Sequence, residues 1–263
     1  MCKKGKKEEK IILVVNDDSV FAPGIKALVE AAREFGRVVV VAPDKPQSGM
    51  GHAITINSPL RLEKVNFIDG IEAYTTNGTP VDCVKLAVDK ILHRKPDLCL
   101  SGINHGANHS INVIYSGTMS AAMEASIESI PSVGFSLMSY SMTADFEPAK
   151  IIVAKIISEI LKHKKVDKHL LLNVNIPCIP FEEIKGIKVC KQAYAKYEEK
   201  FKKRLDPHGK KYYWLTGEFI NYDKAKDTDV WALANNYVSV VPVQFDLTNY
   251  IIKKELENWN FNV

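Results

Sequence analysis

The sequence lacks the patterns that mark membrane proteins and disulfide-stabilised secreted proteins. No apolar run approaches the roughly 20 residues that a membrane-spanning helix needs. The charged opening MCKKGKKEEK is followed by only five apolar residues, which is too short for a signal peptide. The five cysteines form no CxxC pair, and their odd number favours free thiols in a reducing compartment. We therefore expect a cytoplasmic protein with no membrane partner.

Several familiar catalytic signatures are also absent. No GxGxxG follows the first apolar run, and the chain has neither a GxxxxGK[ST] P-loop nor a GxSxG elbow. These absences argue against an ordinary dinucleotide-binding enzyme, a P-loop NTPase and a serine hydrolase. His105 and His109 have the i, i+4 spacing of a zinc pair, but the intervening Gly and Asn indicate a loop, which disfavours zinc.

The composition is that of an ordinary globular protein. The 263 residues are 46% hydrophobic and 25% charged, enough to bury one large or two small cores. The 35 basic and 31 acidic residues leave a net charge of only +4. That balance is too slight to indicate nucleic acid as a partner.

Strand-like apolar runs alternate with helical patterns along most of the chain. IILVV (11–15) and VVVVA (38–42) are continuous and β-branched, as in strands buried on both faces of a parallel sheet. Strands are also predicted at 97–103, 132–138 and 170–176, and helices at 79–92, 117–129 and 149–161. The alternation predicts an α/β fold, a Rossmann-like and mostly parallel sheet with helices on both faces. Within 53–76, VNFIDGIEAY predicts a hairpin with an Asp-Gly turn.

Oxygen-bearing side chains follow the strands at the edge where such sheets bind ligands. The first strand runs into Asn16, Asp17 and Asp18, Ser48 lies in the loop after the second, and Asn104 follows the strand at 97–103, with Asn108 four residues on. Two adjacent carboxylates repel unless a cation lies between them, and carboxylate, hydroxyl and amide oxygens suit Mg²⁺ or Mn²⁺ better than zinc. The alternative is that one aspartate caps a helix and the other is solvated. Ser48 and Asn104 also follow predicted strands, at the same edge of the sheet, and this favours the metal site.

The segment IYSGTMSAAME provides an expected anion site. Ser116, Gly117 and Thr118 stand where a helix rich in small residues begins, so free backbone N–H groups and hydroxyls meet the positive end of the helix dipole. Taken alone, the pattern fits an ordinary N-cap by Ser116. A hard cation next to an anion site indicates phosphate chemistry.

These motifs resemble those of the SurE family of stationary-phase survival proteins, which are 5′/3′-nucleotidases. The resemblance runs through NDDSVFAPGI, VVVVAPDKPQSG, NGTPVDCV, PDLCLSGINHGAN, IYSGTMSAAMEA, NVNIP, DPHGKKYYWLTG and TDVWALANNYVSVVPV, in the family's order. It differs at Ser19, where the family usually has Gly, and at His109-Ser110, where Leu-Gly is common.

The resemblance implies one divalent cation, Mg²⁺ or Mn²⁺, held by Asp17, Asp18, Ser48 and Asn104. It implies phosphate contacts from Asn108, Ser116, Gly117 and Thr118, and a nucleoside monophosphate as substrate. We expect Asn16 to join the substrate-binding residues and Asp17 and Asp18 to be the catalytic residues, as metal ligands, as a base or as a nucleophile.

The resemblance also implies a homodimer or homotetramer built by a C-terminal hairpin arm and helix. We therefore predict a nucleotidase core at 11–192 and an oligomerisation arm, strand and helix at 193–263 that are not an independent domain. The stretch 193–222 interleaves aromatic residues with lysines, which can also mark a single-stranded nucleic-acid surface. A third alternative is ordinary packing within one chain. Oligomerisation is the preferred interpretation, because so many aromatic side chains rarely stay exposed on a monomer.

Two other functions are compatible with an acidic pair after the first strand. A receiver-type signalling module would need an aspartate after its third strand, where this chain has Asn104. A phosphatase that forms an aspartyl-phosphate, like haloacid dehalogenase relatives, would carry DxD, whereas here the two acids are adjacent. The metal-dependent phosphomonoesterase therefore remains the main hypothesis.

Overall fold

A computed structural model of the protein describes residues 9–163 and 166–261. Cys2 lies outside these residues. The strands are β1 (Ile11–Val15), β2 (Arg37–Pro43), β3 (Leu62–Lys64), β4 (Glu72–Thr76), β5 (Leu98–His105), β6 (Ser132–Leu137), β7 (Leu171–Ile176), β8 (Ile187–Val189), β9 (Ala195–Leu205), β10 (Lys211–Asn221) and β11 (Val238–Pro242). The α-helices are α1 (Pro23–Ala32), α2 (Pro80–Leu86), α3 (Gly117–Ile127), α4 (Glu147–Lys162), α5 (Asp229–Ala234) and α6 (Tyr250–Leu256).

The described strands form one central sheet and a separate hairpin. The central sheet has the order β3-β4-β2-β1-β5-β6-β7-β11-β8. The strands from β4 to β7 in this order are parallel to their neighbours, while β3 and β11 run antiparallel to β4 and β7. The predicted α/β fold with a mostly parallel sheet is confirmed.

Both faces of the sheet are covered, which explains why β1 is apolar at every position. Ile12 and Val14 belong to the core cluster that includes α1 and α4. Leu13 and Val15 point to the opposite face and pack in the cluster with residues of α2 and α3. The helices α1 to α4 follow β1, β4, β5 and β6 in the chain. Each of them therefore begins near the edge at which the parallel strands end, which is the predicted ligand edge.

The predicted capping signals are formed at two of these helices. Thr79 caps α2 in a reciprocal capping box with Asp82, and Pro80 follows at the first helical position. Ser116 caps α3 by accepting a hydrogen bond from the Met119 backbone N–H. These caps fix where α2 and α3 begin.

Two boundaries differ from the prediction. The Asp69-Gly70 turn forms, but the strand before it is Leu62–Lys64 rather than 65–68. β5 continues through His105, two residues beyond the predicted end, because Asn104 and His105 still pair with β6 after an irregularity in register. Asn104 therefore lies within a strand instead of a loop, which restricts its orientation.

The C-terminal part contributes to the sheet and also projects from it. β11 lies in the central sheet between β7 and β8, whereas β9 and β10 pair along their whole length, from Ala195 with Asn221 to Leu205 with Lys211. Most side chains of this hairpin are exposed, and α6 has no buried residue. The predicted hairpin arm and closing helix are confirmed, while the boundary at residue 192 stays a prediction.

No helix in the described ranges combines the length and the apolar character that crossing a bilayer would require.

Candidate active site

The carboxyl ends of β1, β2 and β5 meet at a cleft of about 440 Å³. Five of the residues predicted to form the site line this cleft: Asp17, Ser48, Asn104, Asn108 and Ser116. The other four lie around it. Asn16 and Asp18 are next to Asp17 in the chain, Gly117 is next to Ser116, and Thr118 donates a hydrogen bond to Asp17. The strand ends and the start of α3 therefore bring together residues up to 102 positions apart in the sequence.

Asp17 is a buried carboxylate directly after β1. Only 4% of the residue is exposed, and its Oδ1 accepts a hydrogen bond of 2.6 Å from the Thr118 hydroxyl. Burial, followed by the charge of Asp18, raises the pKa of Asp17 to about 6, although the bond from Thr118 opposes the shift. At neutral pH the folded protein therefore holds a carboxylate whose charge its own groups compensate poorly.

Asp18 is more accessible and faces β5. Its Oδ2 accepts a hydrogen bond of 3.2 Å from the His105 backbone N–H. Burial raises the pKa of Asp18, and the N–H and charge of His105 offset only part of that increase. Both carboxylates are thus held in their charged forms at a cost in free energy.

Asn104 presents one particular atom to the cleft. Its Nδ2 donates to the carbonyl oxygens of Gly106 at 2.6 Å and His105 at 3.2 Å. Because Nδ2 is used in this way, Oδ1 is the amide atom that remains for a ligand. An amide oxygen is a ligand for a hard cation.

The donor set fits a hard divalent cation. Neither aspartate has a lysine or arginine among the described groups that shift its pKa, and His105 compensates only part of the charge of Asp18. Two carboxylates, the Ser48 hydroxyl and the Asn104 amide oxygen match the preference of Mg²⁺ or Mn²⁺ for oxygen. Over the described residues, no cluster of three or more His, Cys, Asp or Glu side chains could hold a metal ion, so the zinc alternative gains no support.

The loop that carries Ser48 is fixed on both sides. Before Ser48, the Gln47 backbone N–H donates to the Asp17 carbonyl oxygen at 2.7 Å. After it, the Gly51 N–H donates to the Tyr115 carbonyl at 3.2 Å, and His52 lies 2.9 Å from the buried Glu124 carboxylate. These bonds hold the loop against β1 and α3.

The N-terminus of α3 packs directly on Asp17. A Cβ added at Gly117 would lie 2.7 Å from the Asp17 Cβ and 2.8 Å from its Oδ2, so only glycine allows this approach. Ser116 lines the cleft as the N-cap. The Thr118 hydroxyl is fully buried and turned toward Asp17, so the predicted phosphate contact from that hydroxyl competes with its bond to the carboxylate.

Asn108 is held by a polar network that the sequence did not reveal. Its backbone N–H donates to Asn175 Oδ1 at 2.7 Å, and its carbonyl accepts from Asn173 Nδ2 at 2.8 Å. Its side-chain amide contacts Ser136 Oγ at 2.8 Å. Asn173 and Asn175 alternate along β7, so both point to the same face. The i, i+2 pair of asparagines within NVNIP was the sequence signal from which this network could have been predicted.

Asn16 lies below the cleft rather than in its wall. It is 1% exposed, and its Nδ2 donates to the Ser19 carbonyl at 2.7 Å. Its Oδ1 is a buried atom that has no hydrogen-bond partner among the described residues. Asn16 thus shapes the turn that presents both aspartates.

Aromatic residues complete the cleft, and sequence reasoning did not assign them to it. Tyr115 and Tyr140 line the core side, and Tyr197 reaches it from β9 of the hairpin arm. The contribution of the arm could not be derived from local sequence patterns.

The chain matches the family model described as survival protein SurE over residues 12–199. A protein of Flavobacterium johnsoniae named 5′-nucleotidase SurE is 60% identical over 98% of this chain and 99% of its own length. A protein of the same name from Carboxydothermus hydrogenoformans is 45% identical over 94% of this chain and 95% of its own. The crystal structure of SurE protein from Aquifex aeolicus superposes with a TM-score of 0.82 at 44% identity, covering 94% of this chain and 98% of that one.

Proposed function

The chain belongs to the SurE family, and we propose that it acts as a metal-dependent nucleotidase at the cleft around Asp17. The enzyme is a 5′-nucleotidase, like the relatives that carry that name. We propose further that it hydrolyses nucleoside 5′- and 3′-monophosphates to nucleoside and phosphate. The observation that carries the proposal is the convergence of two poorly compensated carboxylates, further oxygen donors and a helix N-terminus on one cleft.

One divalent cation, Mg²⁺ or Mn²⁺, would be held by Asp17, Asp18, Ser48 and Asn104. When bound, such a cation neutralises phosphate charge and makes a water molecule more acidic, so that hydroxide is available near neutral pH. The protein supplies the matching arrangement: Thr118 and His105 orient one oxygen of each carboxylate. The two anchored sides of the loop at Ser48 support its position.

Phosphate binding is assigned to the N-terminus of α3 and to Asn108. Backbone N–H groups at Gly117 and Thr118 carry the positive end of the helix dipole, and that of Thr118 also interacts with the Asp17 carboxylate. The Ser116 oxygen accepts the capping bond from Met119, so its own proton remains available for donation to a phosphate oxygen. Asn108 Nδ2 donates one of its two protons to Ser136 and keeps the other for a phosphate oxygen. These donors stabilise the charge that develops on the phosphate oxygens.

Asp17 is also the group proposed to move a proton. Its carboxylate lies in the wall of the cleft, where it can take a proton from attacking water. Direct attack by Asp17 or Asp18 on phosphorus would instead give an aspartyl-phosphate.

The activity is tested by phosphate release from a panel of nucleoside 5′- and 3′-monophosphates with Mg²⁺, Mn²⁺ or excess chelator. We expect release that requires the cation. Absence of release from every nucleotide with either metal would overturn the proposal. Trapping a covalent phosphoenzyme on Asp17 or Asp18 would support the aspartyl-phosphate route, and stable phosphorylation without turnover would support a receiver-type module.

We propose that a second copy of the chain covers the hairpin arm, giving a homodimer or homotetramer. Phe201, Tyr213 and Leu215 share one face of the hairpin and Trp214 lies on the other. Each is more than half exposed in the single chain, and two-stranded ribbons rarely leave so much apolar surface in water. The lysines among them can lie at the rim of such an interface. Cys83, Cys99, Cys178 and Cys190 are free thiols, which supports a proposed cytoplasmic location.

A further inference from the structure

A second recess adjoins the cleft on the side of the hairpin arm. Its volume is about 220 Å³, half that of the cleft, and its walls include Tyr140 and Tyr197, which also line the cleft. The remaining wall includes His109, Met138 and Phe219. The recess is therefore continuous with the proposed phosphate site and is smaller than pockets that enclose a whole drug-sized ligand.

The base of the hairpin arm builds the aromatic wall. Tyr197 and Phe219 are direct partners across β9 and β10, and their rings meet edge to face with centroids 5.3 Å apart. The Phe219 ring also contacts the imidazole of His109 at 4.9 Å. Edge-to-face ring clusters of this kind leave ring faces that provide apolar surfaces for an aromatic ligand group.

His109 adds one polar group to this wall. Its Nδ1 is buried and has no hydrogen-bond partner among the described residues, so Nε2 is the ring nitrogen that a ligand can reach. Burial lowers the pKa of His109, although Asp229 opposes that change, which favours the neutral imidazole. A buried N–H without an acceptor is rarer than an unused acceptor, so the proton belongs on Nε2.

We propose that this recess takes the nucleobase of the substrate and that His109 donates a hydrogen bond from Nε2 to an acceptor atom on that base. The inference rests on the proposed nucleotidase function and deepens it. The ligand class is a nucleoside monophosphate whose phosphate lies at α3 and whose base lies between Tyr140 and Phe219. His109 is then a specificity-determining residue, which sets the preference among bases but takes no part in the chemistry at phosphorus.

The test compares substrates that share a phosphate ester but differ in the base. Kinetics are measured for nucleoside 5′-monophosphates and for ribose 5-phosphate, which has no base, with wild type, His109→Leu and His109→Gln. Loss of one hydrogen bond should lower kcat/KM for at least one nucleotide about five- to tenfold in His109→Leu. Gln, which keeps an N–H donor, should restore part of the loss. His208→Gln, at the exposed tip of the hairpin, is the control and should leave kcat/KM for every substrate unchanged.

A binding measurement separates recognition from turnover. In excess chelator, calorimetric titration with the preferred nucleotide should show weaker binding to His109→Leu and to Phe219→Leu than to the wild type. Melting curves check that each variant folds. The ratio of kcat/KM for nucleotide to that for ribose 5-phosphate should fall in both variants.

The outcomes distinguish this inference from the proposed function. If nucleotides are hydrolysed but the ratio to ribose 5-phosphate is unchanged in both variants, the base lies elsewhere and the inference is overturned while the nucleotidase remains. If the wild type hydrolyses ribose 5-phosphate and no nucleotide, both the nucleotidase and its base site are overturned.

Discussion

Replacing Asp17 with asparagine should stabilise the metal-free protein while it removes activity. Burial and Asp18 raise the pKa of Asp17 from 3.8 to about 6 in the folded state. The folded protein therefore binds a proton on the Asp17 carboxyl group more tightly than the unfolded chain does. The contribution of this proton to the free energy of unfolding is fully present below pH ~4. It is lost as pH rises through 6, and a shift of about two units corresponds to about 3 kcal/mol. Asparagine stays neutral and can still accept the bond from Thr118.

The measurement is urea unfolding between pH 4 and 8 in excess chelator, repeated with Mg²⁺ or Mn²⁺. In chelator, Asp17→Asn should be more stable than the wild type by up to about 3 kcal/mol at pH 7.5 and similar to it at pH 4. Added cation should stabilise the wild type more than the variant, because ligand binding to the folded state adds to stability. We expect kcat/KM to fall by at least ~100-fold, which corresponds to ~2.7 kcal/mol.

Asp69→Asn is the matched control. Asp69 is exposed in the turn before β4, and Asn-Gly forms such turns as well as Asp-Gly does. Asp69→Asn should change the free energy of unfolding only slightly, both in chelator and with added cation. A variant at Asp17 that is less stable than the wild type in chelator at pH 7.5, or a difference that does not change with pH, would refute the buried-charge reasoning. Near-normal turnover at saturating metal would remove Asp17 from the proposed metal ligands.

Three further changes test other parts of the structure. Thr118→Val should lose ~1.5–3 kcal/mol of stability at pH 8 in chelator, since it deletes a bond to a charged carboxylate, whereas Thr118→Ser should not; equal melting curves would contradict this. Ser19→Gly should raise the free energy of unfolding in urea by about 1 kcal/mol, because Ser19 has a φ of +91°; a loss would contradict it. Replacing residues 199–217 with Asn-Gly, which rejoins the paired Glu198 and Glu218, should lower the molar mass in light scattering and retain Tyr197 and Phe219. A full-length protein that is monomeric at micromolar concentration would refute the oligomer.

The sheet and the side of the cleft at Asp17 could be predicted because both depend on short-range patterns and one general rule. A strand that is buried on both faces, such as β1, is apolar throughout, and a helix that packs on the sheet shows apolar residues at helical spacing. In parallel sheets, the residues after such strands meet at one edge. This was sufficient to bring Asp17, Ser48, Asn104 and Ser116 together.

The polar network and the aromatic recess could not be predicted in this way. Asn108 is held by Asn173 and Asn175, more than 60 residues away, and the order in which strands pair decides that contact. Tyr197 reaches the cleft and Phe219 reaches the adjoining recess only because the hairpin arm folds back beside the loop at His109. The interface expected for the aromatic residues of this stretch stays a prediction, and Tyr197 and Phe219 also line the recess of their own chain.

The two departures from the family motifs at glycine positions have different physical consequences. Ser19 and Ser110 both adopt a left-handed backbone, with φ of +91° and +54°, which costs a residue with a side chain about 1–2 kcal/mol. The Ser19 hydroxyl offsets little of this, because its bond from Phe21 is 3.4 Å long. The Ser110 hydroxyl lies within hydrogen-bond distance of the carbonyl oxygens of Ala193 and Ala195, at 2.9 and 2.7 Å, and accepts from the Ala195 N–H.

The bonds of Ser110 connect the loop at 106–110 to the base of the hairpin arm. The Ser110 backbone N–H donates to the buried Asp229 carboxylate at 2.7 Å, and Asp229 also accepts from the Ala193 N–H. Asp229 therefore holds the loop and the start of the arm in one network, immediately beside His109. A glycine at 110 would relieve the backbone strain but remove the hydroxyl bonds that set the arm against the recess. The serine at 19 adds strain with little compensation, whereas the serine at 110 fixes the position of the aromatic wall.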